Sequence, residues 1–195
     1  MMRAKGRPVL LQTDRFELRS VTPADASDRW LGWAKDPAVM GPLNLPARAM
    51  RREELAQHIA SVDNNARYLV GIFDKASGTQ IGFFMIDVEV MHRYAIFNVA
   101  IGDKNWWGRG VVNEARAALL DHFFQARGIE KAVGLPLARN FPALFNYKAQ
   151  GWRHEGTLRG QCLSLTDGSR LDQYQFGMLR KDWQRLRAKG APWAS

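Results

Sequence analysis

Over residues 15–21 the apolar Phe16 and Leu18 alternate with Glu17 and Arg19, a period of two that predicts a first strand. Thr22-Pro23-Ala24-Asp25 reads as a helix start: threonine can cap, proline suits the first helical position, and aspartate favours the positive end of the helix dipole. Trp30, Leu31 and Trp33 continue that helix. Pro37, Gly41, Pro42 and Pro46 mark a loop, and Leu55, Ile59 and Val62 recur at helical spacing to give a second helix over about 50–63. The middle is strand-rich. Residues 68–74, a Lys-Ala-Ser-Gly turn and residues 79–90 predict a hairpin, and 93–102 adds another strand.

Beyond that strand the period changes. Trp106-Trp107-Gly108-Arg109-Gly110 predicts a loop, and Val112, Ala115, Leu119, Phe123 and Ala126 follow a helix face ended at Gly128. The apolar run 131–137 predicts a buried strand, and 141–150 a short helix led by Asn140 and closed by Gly151. Residues 152–166, a Thr-Asp-Gly-Ser turn and 170–179 predict a last long hairpin. The class is therefore α+β: a mixed sheet with helices and one strand–helix–strand crossover in its middle.

No repeat or low-complexity linker divides the 195 residues, so the pattern is one domain over 1–195. Apolar residues at 46% and charged residues at 24% exclude a disordered or collagen-like chain, and no apolar run is long enough for a membrane span. The basic start lacks a signal-peptide core, and one cysteine, Cys162, forms no internal disulfide, so a reducing, cytoplasmic setting is expected. Charge is the unusual bulk property: 28 Lys and Arg against 19 Asp and Glu, net +9. That excess favours anionic partners, but the basic residues are scattered, which disfavours a dedicated nucleic-acid surface. No metal-ligand cluster and no Ser/His/Asp pattern is evident, and His58, His92, His122 and His154 stand apart.

The chemistry concentrates at Gly108 and Gly110, between a strand end and a helix start. Two glycines let backbone N–H groups converge, the helix N-terminus adds partial positive charge, and Arg109 and Lys104 add more: a phosphate site in outline. The competing reading is an ordinary strand-to-helix turn, for which glycine is the least strained residue. A P-loop is excluded, because the spacing Gly-x-x-x-x-Gly-Lys-Ser/Thr is absent. A dinucleotide fingerprint is weakened by Asn113 in place of a third glycine and by the apolar 135–138.

The run from Ile101 to Ala115, with its Trp-Gly-x-Gly-x-x-x-Glu-Ala form, resembles the acetyl-CoA loop of the GNAT superfamily of N-acetyltransferases, in the branch that includes ribosomal-protein N-terminal acetyltransferases. Further matches follow in order: Asn140, Tyr147, Gly151-Trp152 and Glu155-Gly156, then Tyr174 to Leu179 with Trp183, while Thr13 to Arg19 fits the family's first strand. The resemblance spans about 13–187. It implies a twisted, mostly antiparallel sheet of six or seven strands with about four helices, splayed at the acetyl-CoA site. It implies that Ile101 and Gly102 pair with the pantetheine arm, that backbone N–H groups from Trp107, Gly108, Arg109, Gly110, Val111 and Val112 hold the pyrophosphate, and that Asn140 contacts the cofactor. Tyr147 is implied to protonate the departing thiolate; the alternative for Tyr147 is plain packing on a short helix. Metals are not implied. Three residues depart from the family pattern: Asn105 for a Gln or Arg, Ala143 for a serine, and Ile96 for a strand glutamate that serves many relatives as base. Asp87, Glu89 and His92 are the nearest substitutes.

The function implied is acetyl transfer from acetyl-CoA to a primary amine of a protein N-terminus, an amino acid or another small molecule, by direct attack in a ternary complex. A non-catalytic acyl-CoA-binding domain and a basic nucleic-acid-binding module are the alternatives, and a homodimer is left open. The segment 30–52 carries Trp30, Trp33, Met40, Leu43 and Leu45 among prolines, which suggests an apolar acceptor wall suited to a peptide end more than to a polyamine, since no acidic cluster is evident. Its alternative is packing between the first two helices.

Overall fold

The computed structural model describes residues 6–190. Eight strands form one sheet: β1 (Leu10–Gln12), β2 (Phe16–Ser20), β3 (Arg67–Asp74), β4 (Gln80–Glu89), β5 (Tyr94–Ile101), β6 (Lys131–Gly134), β7 (Arg153–Leu163) and β8 (Arg170–Leu179), in the order β1-β2-β3-β4-β5-β6-β8-β7. Every neighbouring pair is antiparallel except β5 and β6. This is the expected mixed architecture, with one strand more than the pattern gave: β1, three residues long, has too few positions for alternation to register.

Among the described residues six helices flank the sheet: α1 (Asp28–Lys35), α2 (Pro37–Met40), α3 (Arg52–Ala60), α4 (Val111–Gln125), α5 (Phe141–Ala149) and α6 (Arg180–Ala188). The first expected helix is in fact broken. Pro23–Asp25 is a single 3-10 turn, because the Asp25 carboxylate is drawn to the Thr22 N–H and the Arg19 guanidinium. Ala26 is extended, and α1 starts afresh with Ser27 accepting from the Trp30 N–H. The proline-marked loop likewise holds α2, capped by Asp36, and a 3-10 turn over Gly41–Leu43.

Two apolar layers cover the two faces. On one, Phe84, Ile86 and Phe97 of the sheet meet Ala115, Leu119 and Phe123 of α4, with Tyr147 of α5 and Trp183 of α6. On the other, Phe83 and Ala100 meet Trp30 and Trp33 of α1 and Leu55 and Ile59 of α3. Trp30 stacks on Phe83 with ring centroids 4.8 Å apart. The tryptophans of the 30–52 segment therefore pack α1 onto the sheet, which is the alternative reading of that segment, and Pro42 and Leu43 are its residues that line the gap described below.

The β5–β6 pairing positions the site. Only Tyr94, Ala95 and Ile96 pair with β6, opposite Lys131, Ala132 and Val133. β6 ends at Gly134 while β5 continues to Ile101, so the strands part beyond Ile96. The expected strand 131–137 is shortened accordingly, and only an isolated bridge joins Leu137 to Gln173.

Candidate functional site

Sheet geometry decides which β5 peptide groups face the gap. Gly102 N–H donates to Ile81 O at 2.9 Å, so these opposed residues form a hydrogen-bonded pair. In an antiparallel ladder such pairs alternate with non-bonded ones. Ile101 and Val99, opposite Gly82 and Phe84, therefore turn their N–H and C=O away from β4 and into the gap. Side chains already use two acceptors on that edge: Trp107 Nε1–H donates to Ile101 O at 2.8 Å, and Tyr147 O–H to Phe97 O at 3.5 Å. Val99 lies between them; no local pattern in the sequence marks it, and its place follows only from register.

Gly102 differs from Ile101 in one donor and in its packing. Its N–H is committed to Ile81, and a Cβ there would land inside the Trp33 indole. Glycine at 102 is a packing requirement of α1.

The glycine loop has the geometry that its residues suggest. Gly108 and Gly110 have φ of 72° and 73°, the left-handed region that glycine adopts without strain. Gly110 caps α4 with no side chain on the first-turn N–H groups, which leaves those of Val111 and Val112 facing the loop. Glu114 is the acidic residue of that first turn, but its side chain does not turn back on them. Instead its Oε1 accepts from Thr13 Oγ1–H at 2.6 Å and the Arg15 N–H at 3.0 Å, and its Oε2 from Arg15 Nε–H at 2.7 Å. Arg15 also donates to Arg109 O at 3.0 Å. Burial by itself would raise the Glu114 carboxyl, but these hydrogen bonds and the Arg15 charge outweigh it and hold the group below its ordinary value. Thr13, Arg15 and Glu114 thus anchor the loop to the start of the sheet, a role their sequence separation conceals.

Of the loop's aromatics, Trp106 turns inward against Phe16, with centroids 5.4 Å apart, while Trp107 stays 45% exposed. Lys104 pairs with Asp36 at 2.6 Å, so its charge is partly committed, whereas Arg109 lies over Trp106 in an exposed position.

Where β5 and β6 part there is a cavity of about 290 Å³. Ile96, Asn98 and Val99 line it from β5, Asp87 from β4, Pro42 and Leu43 from the segment after α2, Ala143 and Tyr147 from α5, and Asn140 from just before α5. Asn140 caps α5 by accepting from the Ala143 N–H at 3.3 Å, and its Nδ2 donates to Pro42 O at 3.4 Å, tying the two walls together. Tyr147 is 5% exposed and stacks on Phe176 at 4.9 Å. Gly134 makes room for it, since a Cβ there would meet the Tyr147 hydroxyl. Burial pushes the Tyr147 phenol up, and the nearby Arg116 charge opposes the shift.

The three base candidates separate. Asp87 stands directly opposite Ile96 on the cavity wall, paired with Arg67 at 3.3 Å. Glu89 and His92 are exposed at the β4–β5 turn and do not line the cavity. Among the described residues no group of His, Cys, Asp or Glu is placed to hold a metal ion, and no helix is long and apolar enough to cross a membrane.

A strand edge opening onto an uncapped helix N-terminus, with a tyrosine in the gap, can be set beside known proteins. An uncharacterized N-acetyltransferase of Bacillus licheniformis is 26% identical over 180 residues, 89% of this chain and 97% of that one. Two solved structures share the fold. Ribosomal-protein-S5-alanine acetyltransferase from Vibrio fischeri superposes with a TM-score of 0.74 at 17% identity, covering 90% of this chain and 98% of its own. Spermidine N-acetyltransferase from Vibrio cholerae, in complex with CoA and spermine, gives 0.77 at 19% identity, covering 87% and 98%. The family model described as an acetyltransferase (GNAT) domain matches residues 15–145, a stretch that runs from β2 through the glycine loop into α5. With the glycine loop, the parted strands and Tyr147 all inside or beside that stretch, the chain belongs to the GNAT acetyltransferase family.

Proposed function

We propose that the chain is an N-acetyltransferase that uses acetyl-CoA to acetylate a primary amine. The observation that carries this reading is the continuity of the β5 edge with the start of α4. Peptide groups of Val99 and Ile101 face the gap, and the first-turn N–H groups of α4 lie at its end. An amide-bearing arm ending in a pyrophosphate fits that sequence of donors and acceptors: strand-like pairing first, then convergent N–H groups beside Arg109. Gly108 and Gly110 shape the cradle, Trp107 borders it, Val111 and Val112 supply N–H groups, and Asn140 fixes the opposite wall.

Acetyl-CoA supplies the acetyl group as a thioester. This chain's residues supply the rest. Tyr147, with its hydroxyl in the gap, donates a proton to the departing sulfur, a contribution worth roughly 10²–10⁴-fold for a general acid. Its raised pKa keeps it protonated at neutral pH. Asp87 holds the incoming ammonium and takes its proton directly or through water, filling the place of the carboxylate that Ile96 lacks.

The cavity also bears on the acceptor. Its lining holds one carboxylate, Asp87, among Pro42, Leu43, Ile96, Leu135, Pro136 and Leu137. That suits one ammonium on a small, partly apolar group, such as a peptide or amino-acid α-amine, better than a polycation. The two structural neighbours named above, one acting on an alanine of a ribosomal protein and one on spermidine, represent both choices. Thiol release from acetyl-CoA with matched concentrations of small-residue peptides, amino acids and spermidine tests the reading. Faster turnover with an α-amine is expected; preference for spermidine refutes the acceptor assignment.

A further inference from the structure

Arg116 lies in α4, two turns from the glycine loop, and is 1% exposed. A charged side chain is almost never so buried without an ionic partner. Its hydrogen bonds go to neutral acceptors: Nε to Gln150 Oε1 at 2.6 Å, and Nη2 to Asn113 Oδ1 at 3.2 Å and Asn146 O at 3.1 Å. No carboxylate among the described residues contributes to its environment. Burial pulls the guanidinium down to about 10, so it remains a cation at neutral pH. For stability alone, a buried cation without a counter-ion is a costly choice beside an apolar side chain of similar volume. Its field is most useful to a negative charge that forms beside it and then disappears.

Tyr147 is where such a charge would form. The Arg116 guanidinium carbon lies 4.3 Å from the Tyr147 ring centroid and 5.1 Å from that of Trp152. Trp152 Nε1–H shares the Gln150 Oε1 acceptor at 3.1 Å, and Gln150 Nε2 holds Asn113 O at 2.8 Å. This network fixes the cation relative to both α4 and α5. Resting on the reading of Tyr147 as the acid, we propose that Arg116 is a positioning residue for the proton transfer: it stabilises the tyrosinate that Tyr147 becomes.

In that step the Tyr147 O–H bond breaks and an S–H bond forms on the departing CoA thiolate. The phenolate charge is left beside Arg116. Tyr147 regains a proton from solvent, balancing the one that the acceptor nitrogen has given up. The other charged or titratable groups around the pair are few. His154 of β7 lies against Phe176 with centroids 5.5 Å apart, and Asp87 of β4 lines the cavity. From β5, β6 and β8 the pair meets Phe97, Gly134 and Phe176.

The test is an ultraviolet difference titration of the CoA complex, following thiolate and tyrosinate absorbance, with thermal melting and CoA affinity measured alongside. Removing a cation at this distance moves an ionisation by about one pH unit or more. Arg116→Met is therefore expected to raise the first ionisation by that amount, and Arg116→Lys, which keeps the charge and loses the fork of hydrogen bonds, to restore most of it. Gln150→Glu gives the guanidinium a fixed counter-ion while Arg116 stays in place. It is expected to act like Arg116→Met and carries the test if that variant does not fold. Tyr147→Phe separates the two ideas. An ionisation unmoved by Tyr147→Phe overturns the acid role of Tyr147. One that moves with Tyr147→Phe but with neither Arg116→Met nor Gln150→Glu overturns the role of Arg116 alone.

Discussion

Arg15 holds Glu114 and the glycine loop at once: its Nε–H donates to Glu114 Oε2 at 2.7 Å and its Nη2–H to Arg109 O at 3.0 Å. The acidic residue of the first turn of α4 is thereby held toward the sheet, and no side chain caps the first-turn N–H groups. Glu114→Gln should cost about 1.5–3 kcal/mol of stability, the usual worth of hydrogen bonds to a charged group. It should also weaken CoA binding by loosening the loop. Calorimetric titration and thermal melting of the variant check both effects.

The same carboxylate sets an acid limit. The folded-state pKa of Glu114 is held below its ordinary value of 4.5, so its contribution is complete above that value and is lost as the pH falls through the folded value. The gap in Tm between the wild type and Glu114→Gln should be widest near neutrality and close in acid. A gap that widens on acidification would contradict this assignment.

Gly102 and Gly110 should fail in different ways. Gly102→Ala drives a methyl group into the Trp33 indole, and overpacking of this kind costs about 1–3 kcal/mol or more. Its effect should be on melting temperature first. Gly110→Asp meets no crowding, the nearest atom being Arg15 Nη2 at 3.8 Å, but forces a side chain into positive φ and sets a carboxylate beside the N–H cradle. Its effect should be on CoA affinity beyond any loss of stability. Melting curves and calorimetry on the two variants separate the roles.

Much of this arrangement is legible in the sequence. Alternation and helical spacing place nearly every element, because each buries one face, and the glycines of the loop announce a strand-to-helix turn at positive φ. The rest depends on contacts that no local pattern carries. The break between Asp25 and Asp28 is made by the Asp25 carboxylate reaching back to Arg19, where capping preferences alone allow one continuous helix. Ile101 and Gly102 look equivalent as a strand end, yet the parity of the β4–β5 ladder turns Ile101 to the gap and the Gly102 N–H to Ile81. Asp87, Glu89 and His92 are similar candidates by position, and only the register that sets Asp87 opposite Ile96 distinguishes them. Arg116 carries no local signal in the sequence and gains its meaning from burial against Tyr147.

Asp87 should show its role in the acceptor constant. Asp87→Asn keeps the shape of the cavity wall and removes its carboxylate, so KM for the amine should rise and the rate should shift to higher pH, where more of the amine is neutral without help. CoA affinity should be unchanged within about twofold, because the β5 edge and the loop are untouched. Steady-state kinetics across pH with the best α-amine acceptor checks the split.

Acetyl-CoA, a primary amine and Tyr147 are the three parts of the proposed reaction. Amine-dependent thiol release by the wild type and Tyr147→Phe, measured side by side with CoA affinity for each, tests it most directly. Turnover by the wild type and a roughly 10²–10⁴-fold lower kcat in the variant at nearly equal affinity are expected. Equal turnover by the two proteins, or CoA binding without amine-dependent thiol release by either, would contradict it.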